Sequence, residues 1–276
     1  MLRQRVITAG VLVPALVVVV ALGGPWIVAL VAVLAALAAV EAFTLLAAAG
    51  YPTVPLLGVA LAVASVLDAG APDVVRYGTV LLAAAGVLAI GGVALNRTEP
   101  RDGLTAWIAT LFGVAWVALL SFVVRLGHVA PPVPVGAPLV GLGAERGWIA
   151  LLILGVWSYD TGAYFAGRRF GRRKFMTHIS PSKTYAGLVG GLIAATMVVA
   201  AILAGLGQPP LGAVVLGPLI GFAAQAGDLA ESMVKRAAAA KDSGTLVPGH
   251  GGVLDRIDSF LFAAPVLTLY VVVAYR

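Results

Sequence analysis

Long apolar runs separated by short polar breaks set the pattern of this chain, and the breaks carry most of its charge. Nine runs can be read, each long enough at roughly 20 residues for a helix to cross about 30 Å of hydrocarbon. They lie at about 5–23, 25–49, 53–69, 76–95, 104–126, 147–166, 185–206, 211–230 and 257–275. The third, ending near Asp68, is the shortest. The pattern predicts an all-α polytopic membrane protein with about nine transmembrane helices. It forms a single integral-membrane domain over 1–276, in which 1–130 supplies N-terminal helices and 147–276 carries the polar motifs.

Composition agrees with the pattern. Of 276 residues, 61% are hydrophobic and the mean hydropathy is +1.04, which excludes a soluble globule. Lys and Arg then give the orientation. With the N-terminus in the cytoplasm, inside segments hold Arg3, Arg5, Arg97, Arg101, Arg168, Arg169, Arg172, Arg173, Lys174, Lys183, Lys235, Arg236, Lys241 and Arg256, leaving Arg76, Arg125, Arg146 and Arg276 outside. The basic pI near 9.9 therefore describes a cytoplasmic face among anionic headgroups and nucleotides, and does not point to nucleic-acid binding. The first run is read as a retained helix, because eight more follow it and no small-residue cleavage pattern stands after Val20. Pro131 to Pro138 reads as an outside linker. With no cysteine, disulfides, thiolate catalysis and thiolate metal sites are excluded.

Polar chemistry concentrates between Gly227 and Asp258. Asp228, Glu231, Asp242, Asp255 and Asp258 stand there with Lys235, Arg236, Lys241, Arg256 and His250, in a chain of which only 11% is charged. That density between apolar helices calls for a polyanionic or metal-bound ligand. The second, sixth and eighth runs go from outside to inside, so Glu41, Asp160, Asp228 and Glu231 fall late, near the cytoplasmic surface. Asp255 and Asp258 open the last run at the same level. These six carboxylates are expected to meet in one cytoplasm-facing polar cavity.

Spacing refines the expectation. Asp228, Glu231, Ser232 and Lys235 fall at i, i+3, i+4 and i+7, and Asp255, Asp258 and Ser259 at i, i+3 and i+4, one helix face in each case. Two opposed acidic faces suit a divalent cation, and Mg²⁺ commonly takes one or two carboxylates together with substrate phosphates. Without Cys or paired His, the donors do not suit zinc. The glycines of Gly244 and Pro248-Gly249-His250-Gly251-Gly252 let backbone N–H groups approach phosphate oxygens, with four cations as charge-assisted donors. Ser180-Pro181-Ser182-Lys183-Thr184 enters a helix from an inside loop, a second phosphate cradle. His250 reads as a phosphate or backbone partner. Glu41 reads equally as a hydrogen-bonding residue between helices, and Arg168 to Lys174 as positive-inside anchoring.

The order Ser232-x-x-Lys235-Arg236, Lys241-Asp242, Pro248-x-His250-Gly251-Gly252-x-x-Asp255-Arg256-x-Asp258 resembles the signature of the phosphatidate cytidylyltransferases, or CDP-diacylglycerol synthases. Asp160-x-Gly162-Ala163-Tyr164, Gly167 through Gly171, and Ser180-Pro181-x-Lys183-Thr184 resemble the family's upstream motifs. The resemblance implies a multi-pass inner-membrane enzyme, with 147–276 as its catalytic half, that joins CTP and phosphatidic acid into CDP-diacylglycerol and pyrophosphate. It implies Mg²⁺ as cofactor, with room for K⁺ alongside, membrane lipids as surroundings, and a homodimer. Asp228 and Asp255 fall at the family's metal centre, beside Glu231 and Ser232. With Lys235 and Arg256 the two aspartates form the expected catalytic group. Lys235, Arg236, Lys241, Asp242, His250, Gly251, Gly252, Arg256 and Asp258 are expected around the nucleotide phosphates, and Ser180, Lys183 and Thr184 around the lipid phosphate. Glu41 and Asp160 complete the polar cavity. Ala186 departs from the family, which usually has an acid two positions after the residue matching Thr184. Other CTP-dependent membrane lipid enzymes, such as a polyprenol kinase or an archaeal-type lipid cytidylyltransferase, share this logic. An ion-coupled transporter would place its acids near the midplane in paired halves, which this sequence does not show.

Overall fold

The computed structural model describes residues 2–72, 74, 77–246, 249 and 251–275, with the side chains of 2–7 and 9 excepted. The helices among them are α1 (Leu2–Leu22), α2 (Pro25–Ala48), α3 (Pro55–Gly70), α4 (Gly78–Ala94), α5 (Pro100–Ala118), α6 (Ser121–Val129), α7 (Gly143–Phe170), α8 (Tyr185–Gly205), α9 (Ala213–Ala237) and α10 (Leu254–Tyr275). Single 3₁₀ turns precede α7 and α9, and the described residues hold no strand beyond one isolated bridge. All nine apolar runs are occupied by helix. Six stretches are long and apolar enough to cross a membrane: Pro25–Ala48, Pro100–Val129, Val140–Phe170, Tyr185–Gly205, Pro210–Ala237 and Leu254–Tyr275. Gly10–Leu22, α3 and α4 are apolar but shorter.

Several boundaries follow from local chemistry. α2, α3 and α5 each begin with proline, whose missing N–H costs nothing in a first turn. The fifth run is not one helix: after α5, Leu119 and Leu120 donate to the carbonyls three residues back, at 3.3 and 3.0 Å, and α6 starts anew.

The chain forms two compact units, and the division falls inside α9 and α10. The first comprises 1–124 and 233–257. In it α2 packs on α3 and α5 through an alanine-rich face of Ala35, Ala38, Ala39 and Ala42, all fully buried. Phe43 wedges where α3 and α5 present Gly58 and Gly113; a Cβ at either glycine would strike its ring. The backbone N–H of Val54, at the start of α3, donates to Thr110 Oγ1 of α5 at 2.9 Å.

The second unit comprises 125–232 and 258–276. Here α7 lies closely on α8. A Cβ at Gly190 would strike that of Ala166, and one at Gly162 would come within 2.8 Å of the Gly190 carbonyl. Trp148, Leu152, Tyr159, Leu203, Leu216 and Ile220 form the buried interior, where Tyr159 donates its hydroxyl to Gln225 Oε1 at 2.9 Å. Gly227 allows α9 to press against the backbone of α10 at Asp258 and Ser259.

Candidate functional site

In the first unit the polar chemistry gathers where the segment after α9 leads into α10. Asp255, in the first turn of α10, is held through both oxygens. Its Oδ1 accepts from Lys235 Nζ at 2.6 Å, a pair with side chains only 12% and 6% exposed. Its Oδ2 accepts from the backbone N–H of Ser243 at 2.8 Å and of Gly252 at 2.8 Å, and lies 2.9 Å from the Ser243 hydroxyl. Glu41 reaches this group from α2. Its Oε1 accepts from the N–H of Val253 at 3.1 Å; its Oε2 accepts from that of Leu254 at 2.8 Å and lies 3.0 Å from Ser243 Oγ. Acceptors at a helix N-terminus satisfy otherwise orphaned N–H groups and meet the positive end of the helix dipole.

The glycines here have reasons within the fold. A Cβ at Gly252 would strike Ser243 Oγ and Glu41 Oε2, and one at Gly244 would strike Glu41 Oε1. Gly251 adopts φ +84°, a conformation that favours glycine, and a Cβ there would lie 2.7 Å from Asp255 Oδ2. Around them Arg236, Lys241, Asp242 and Arg256 are exposed. Arg236 donates to the carbonyl of Ala240 at 3.3 Å. His250, with Val247 and Pro248, lies outside the described residues.

In the second unit Lys183 pairs with Asp228, both side chains about one quarter exposed at 26% and 25%. The segment from 171 to 184 folds back on itself: Phe175 donates to the Lys183 carbonyl at 3.2 Å, Tyr185 to that of Arg173 at 3.1 Å, and Lys174 and Thr184 form an antiparallel bridge. Thr184 caps α8, its Oγ1 accepting from the N–H of Gly187 at 3.1 Å. Gly167, Gly171 and Gly187 close round that threonine; a Cβ at Gly171 would come within 2.9 Å of its hydroxyl. Ser180 sits in the turn and donates its N–H to the carbonyl of Met176 at 2.9 Å. Glu231, Ser232 and Asp258 are buried, Asp258 Oδ1 accepting from the N–H of Ser259 at 2.6 Å, while Asp160 is exposed. The spacing in α9 stands, since Asp228, Glu231, Ser232 and Lys235 share one uninterrupted helix.

The sequence placed Glu41 and Asp255 at one level, but two details of the contact were not legible in it. Ser243 engages Asp255 through both backbone and side chain, yet stands 12 residues away in an irregular segment. Glu41 contacts residues 202 to 213 positions away, which no local spacing reveals.

Residues 3–274 match the profile of the Cytidylyltransferase family. The chain belongs to this family. Its relatives include the phosphatidate cytidylyltransferase of Brucella suis, 48% identical over 125 residues that cover 44% of this chain and 46% of that protein. The enzyme of the same name from Bacillus subtilis is 47% identical over 115 residues, covering 41% and 42% respectively. A chloroplastic phosphatidate cytidylyltransferase 4 of Arabidopsis thaliana is 39% identical over 194 residues, 65% of this chain and 48% of that protein. The chain spans about half the length of the curated relatives it matches.

Proposed function

We propose that this protein transfers a cytidylyl group from CTP to phosphatidic acid, giving CDP-diacylglycerol and pyrophosphate, at the cytoplasmic face of a bacterial-type inner membrane. The observation that carries the reading is the family match across 3–274, joined to relatives whose names specify phosphatidate cytidylyl transfer. A phosphatidate oxygen attacks the α-phosphorus of CTP in line, the bond from that phosphorus to the β-phosphate oxygen breaks, and pyrophosphate leaves. Positioning and charge neutralisation provide most of the acceleration in such transfers.

On this reading the exposed Arg236, Lys241 and Arg256, with Lys235, serve the phosphates of CTP and the departing pyrophosphate. Ser180, Lys183 and Thr184 serve the lipid phosphate. The candidate metal-holding residues are all oxygen donors, Asp228, Glu231 and Ser232 in the second unit and Asp255 in the first, and each is a ligand type that suits Mg²⁺. Mg²⁺ commonly takes one or two carboxylates and completes its shell with substrate phosphates and water. When bound, Mg²⁺ would supply neutralisation of phosphate charge, and K⁺ is allowed beside it. Asp228 and Asp255 are the residues proposed to hold the metal. Lys183 pairs with Asp228 and Lys235 with Asp255. The reading includes nine spans, an inside N-terminus and a cytoplasm-facing polar cavity.

Purified protein in detergent, supplied with phosphatidic acid, CTP and Mg²⁺, is expected to release pyrophosphate and form CDP-lipid, with ATP, GTP and UTP inactive. Asp228→Asn and Asp255→Asn are expected to abolish turnover with the fold retained. Absence of CDP-lipid from folded wild-type protein, or a phosphorylated alcohol as product, overturns the reading.

A further inference from the structure

We infer that Glu41 is a positioning residue, holding the aspartate at the head of α10 in its working orientation through Ser243 and the first amides of that helix. The inference rests on the reading of Asp255 as part of the catalytic machinery.

Glu41 is 4% exposed in an apolar helix, and a carboxylate is retained in such a place only where hydrogen bonds repay its desolvation. All the bonds described for it go to one segment: the amides of Val253 and Leu254 and the hydroxyl of Ser243. That hydroxyl carries one proton and lies within reach of two carboxylates, at 3.0 Å from Glu41 and 2.9 Å from Asp255, so it couples the two acids. The same serine also gives its backbone N–H to Asp255. Shape confirms that the arrangement is built, because Gly244 and Gly252 have no space for a Cβ on account of Glu41. The far end is anchored as well. Two residues beyond Glu41, Phe43 is wedged against Gly58 of α3 and Gly113 of α5, which fixes the register of α2. A continuous path thus runs from the packing of α2, α3 and α5, through Glu41 and Ser243, to the carboxylate of Asp255.

The test combines Glu41→Gln, Glu41→Asp, Ser243→Ala and the double variant Glu41→Gln/Ser243→Ala. An amide at 41 puts an NH₂ group against a backbone N–H whichever way it turns. Glu41→Gln is expected to lower kcat about 10- to 100-fold, the usual cost of losing a partner that orients a site ligand. KM for CTP should change much less, and amide hydrogen exchange across 252–255 should quicken. Glu41→Asp, which keeps a carboxylate, should recover part of kcat. Ser243→Ala should act in the same direction, and the double variant should be no worse than the more severe single change, since the residues act as one path. A merely structural role would lower the thermal midpoint while leaving kcat per folded molecule intact. That result, wild-type exchange at 252–255, or fully multiplicative losses in the double variant overturns the inference. Should Glu41→Gln fail to fold, Ser243→Ala decides, and wild-type kcat and exchange in it are equally fatal. Asp255→Asn separates the two readings: wild-type turnover there removes the catalytic assignment of Asp255, while exchange at 252–255 still reports on Glu41.

Discussion

At the scale of single residues, the glycines around Asp255 separate conformational need from lack of room. Gly252 has no positive φ, yet its missing Cβ leaves the space taken by Ser243 Oγ and Glu41 Oε2. Gly252→Ala is therefore expected to destabilise the protein by about 1–3 kcal/mol, the range for overpacking a filled site. Gly10→Ala, where a Cβ meets nothing within 4 Å, should leave the thermal midpoint in detergent unchanged or slightly raised. Equal midpoints for the two variants would refute the packing argument. The sequence pointed to Asp228, Asp255 and Lys235 because their spacing along a helix is itself the signal. It pointed to Gly252 for a different reason, as a glycine that lets a phosphate approach. Topology brought Glu41 to the level of Asp255, but its bonds to Ser243 and to the amides of Val253 and Leu254 join segments more than 200 residues apart and leave no local trace.

At the scale of elements, every apolar run holds helix among the described residues, but hydropathy neither fixed the ends nor separated α6 from α5. α7 runs from Gly143 to Phe170 and α9 as far as Ala237, both past the apolar runs that predict them, because basic residues in their last turns favour the negative end of the dipole. The break between α5 and α6 has no proline or glycine at Leu119 and Leu120 to announce it. α8 starts where a capping residue says it should. Thr184→Ala removes the acceptor for the Gly187 amide and is expected to cost about 1 kcal/mol, whereas Thr184→Ser keeps it and should cost less. Thermal midpoints and hydrogen exchange at the first turn of α8 check this. If both substitutions behave alike, the methyl packed against Gly171 matters more than the cap.

At the scale of the whole molecule, α3 and α4 are a consecutive pair of short apolar helices, and the number of spans turns on whether the pair crosses the bilayer. With 16 and 17 residues they are about 24 and 26 Å long at 1.5 Å per residue, short of about 30 Å of hydrocarbon. A short helix spans by thinning the bilayer locally, at a modest cost per ångström. The alternative is a re-entrant pair, with the turn at Ala71 and Pro72 returning to the cytoplasmic side. The segment before α5 carries Arg97 and Arg101 and matches an inside loop, as the positive-inside rule requires of a pair that has crossed and returned. That rule alone is also met by a re-entrant pair, so the turn itself must be probed. The chain has no cysteine, so an introduced thiol is its only label site. Val135→Cys, at a fully exposed position of a loop without Lys or Arg, serves as the outside reference, and Thr245→Cys, in the segment between α9 and α10, as the inside one. In intact cells treated with a membrane-impermeant maleimide, Pro72→Cys is expected to react as Val135→Cys does, and Thr245→Cys only after permeabilisation. Reaction of Pro72→Cys only after permeabilisation would reduce the proposed nine spans to seven. It would leave the orientation of α5 onward unchanged, because removing two crossings in succession restores the same side. Reaction of Thr245→Cys in intact cells would instead invert the molecule and put its polar segments out of reach of the cytoplasmic CTP that the proposed function requires.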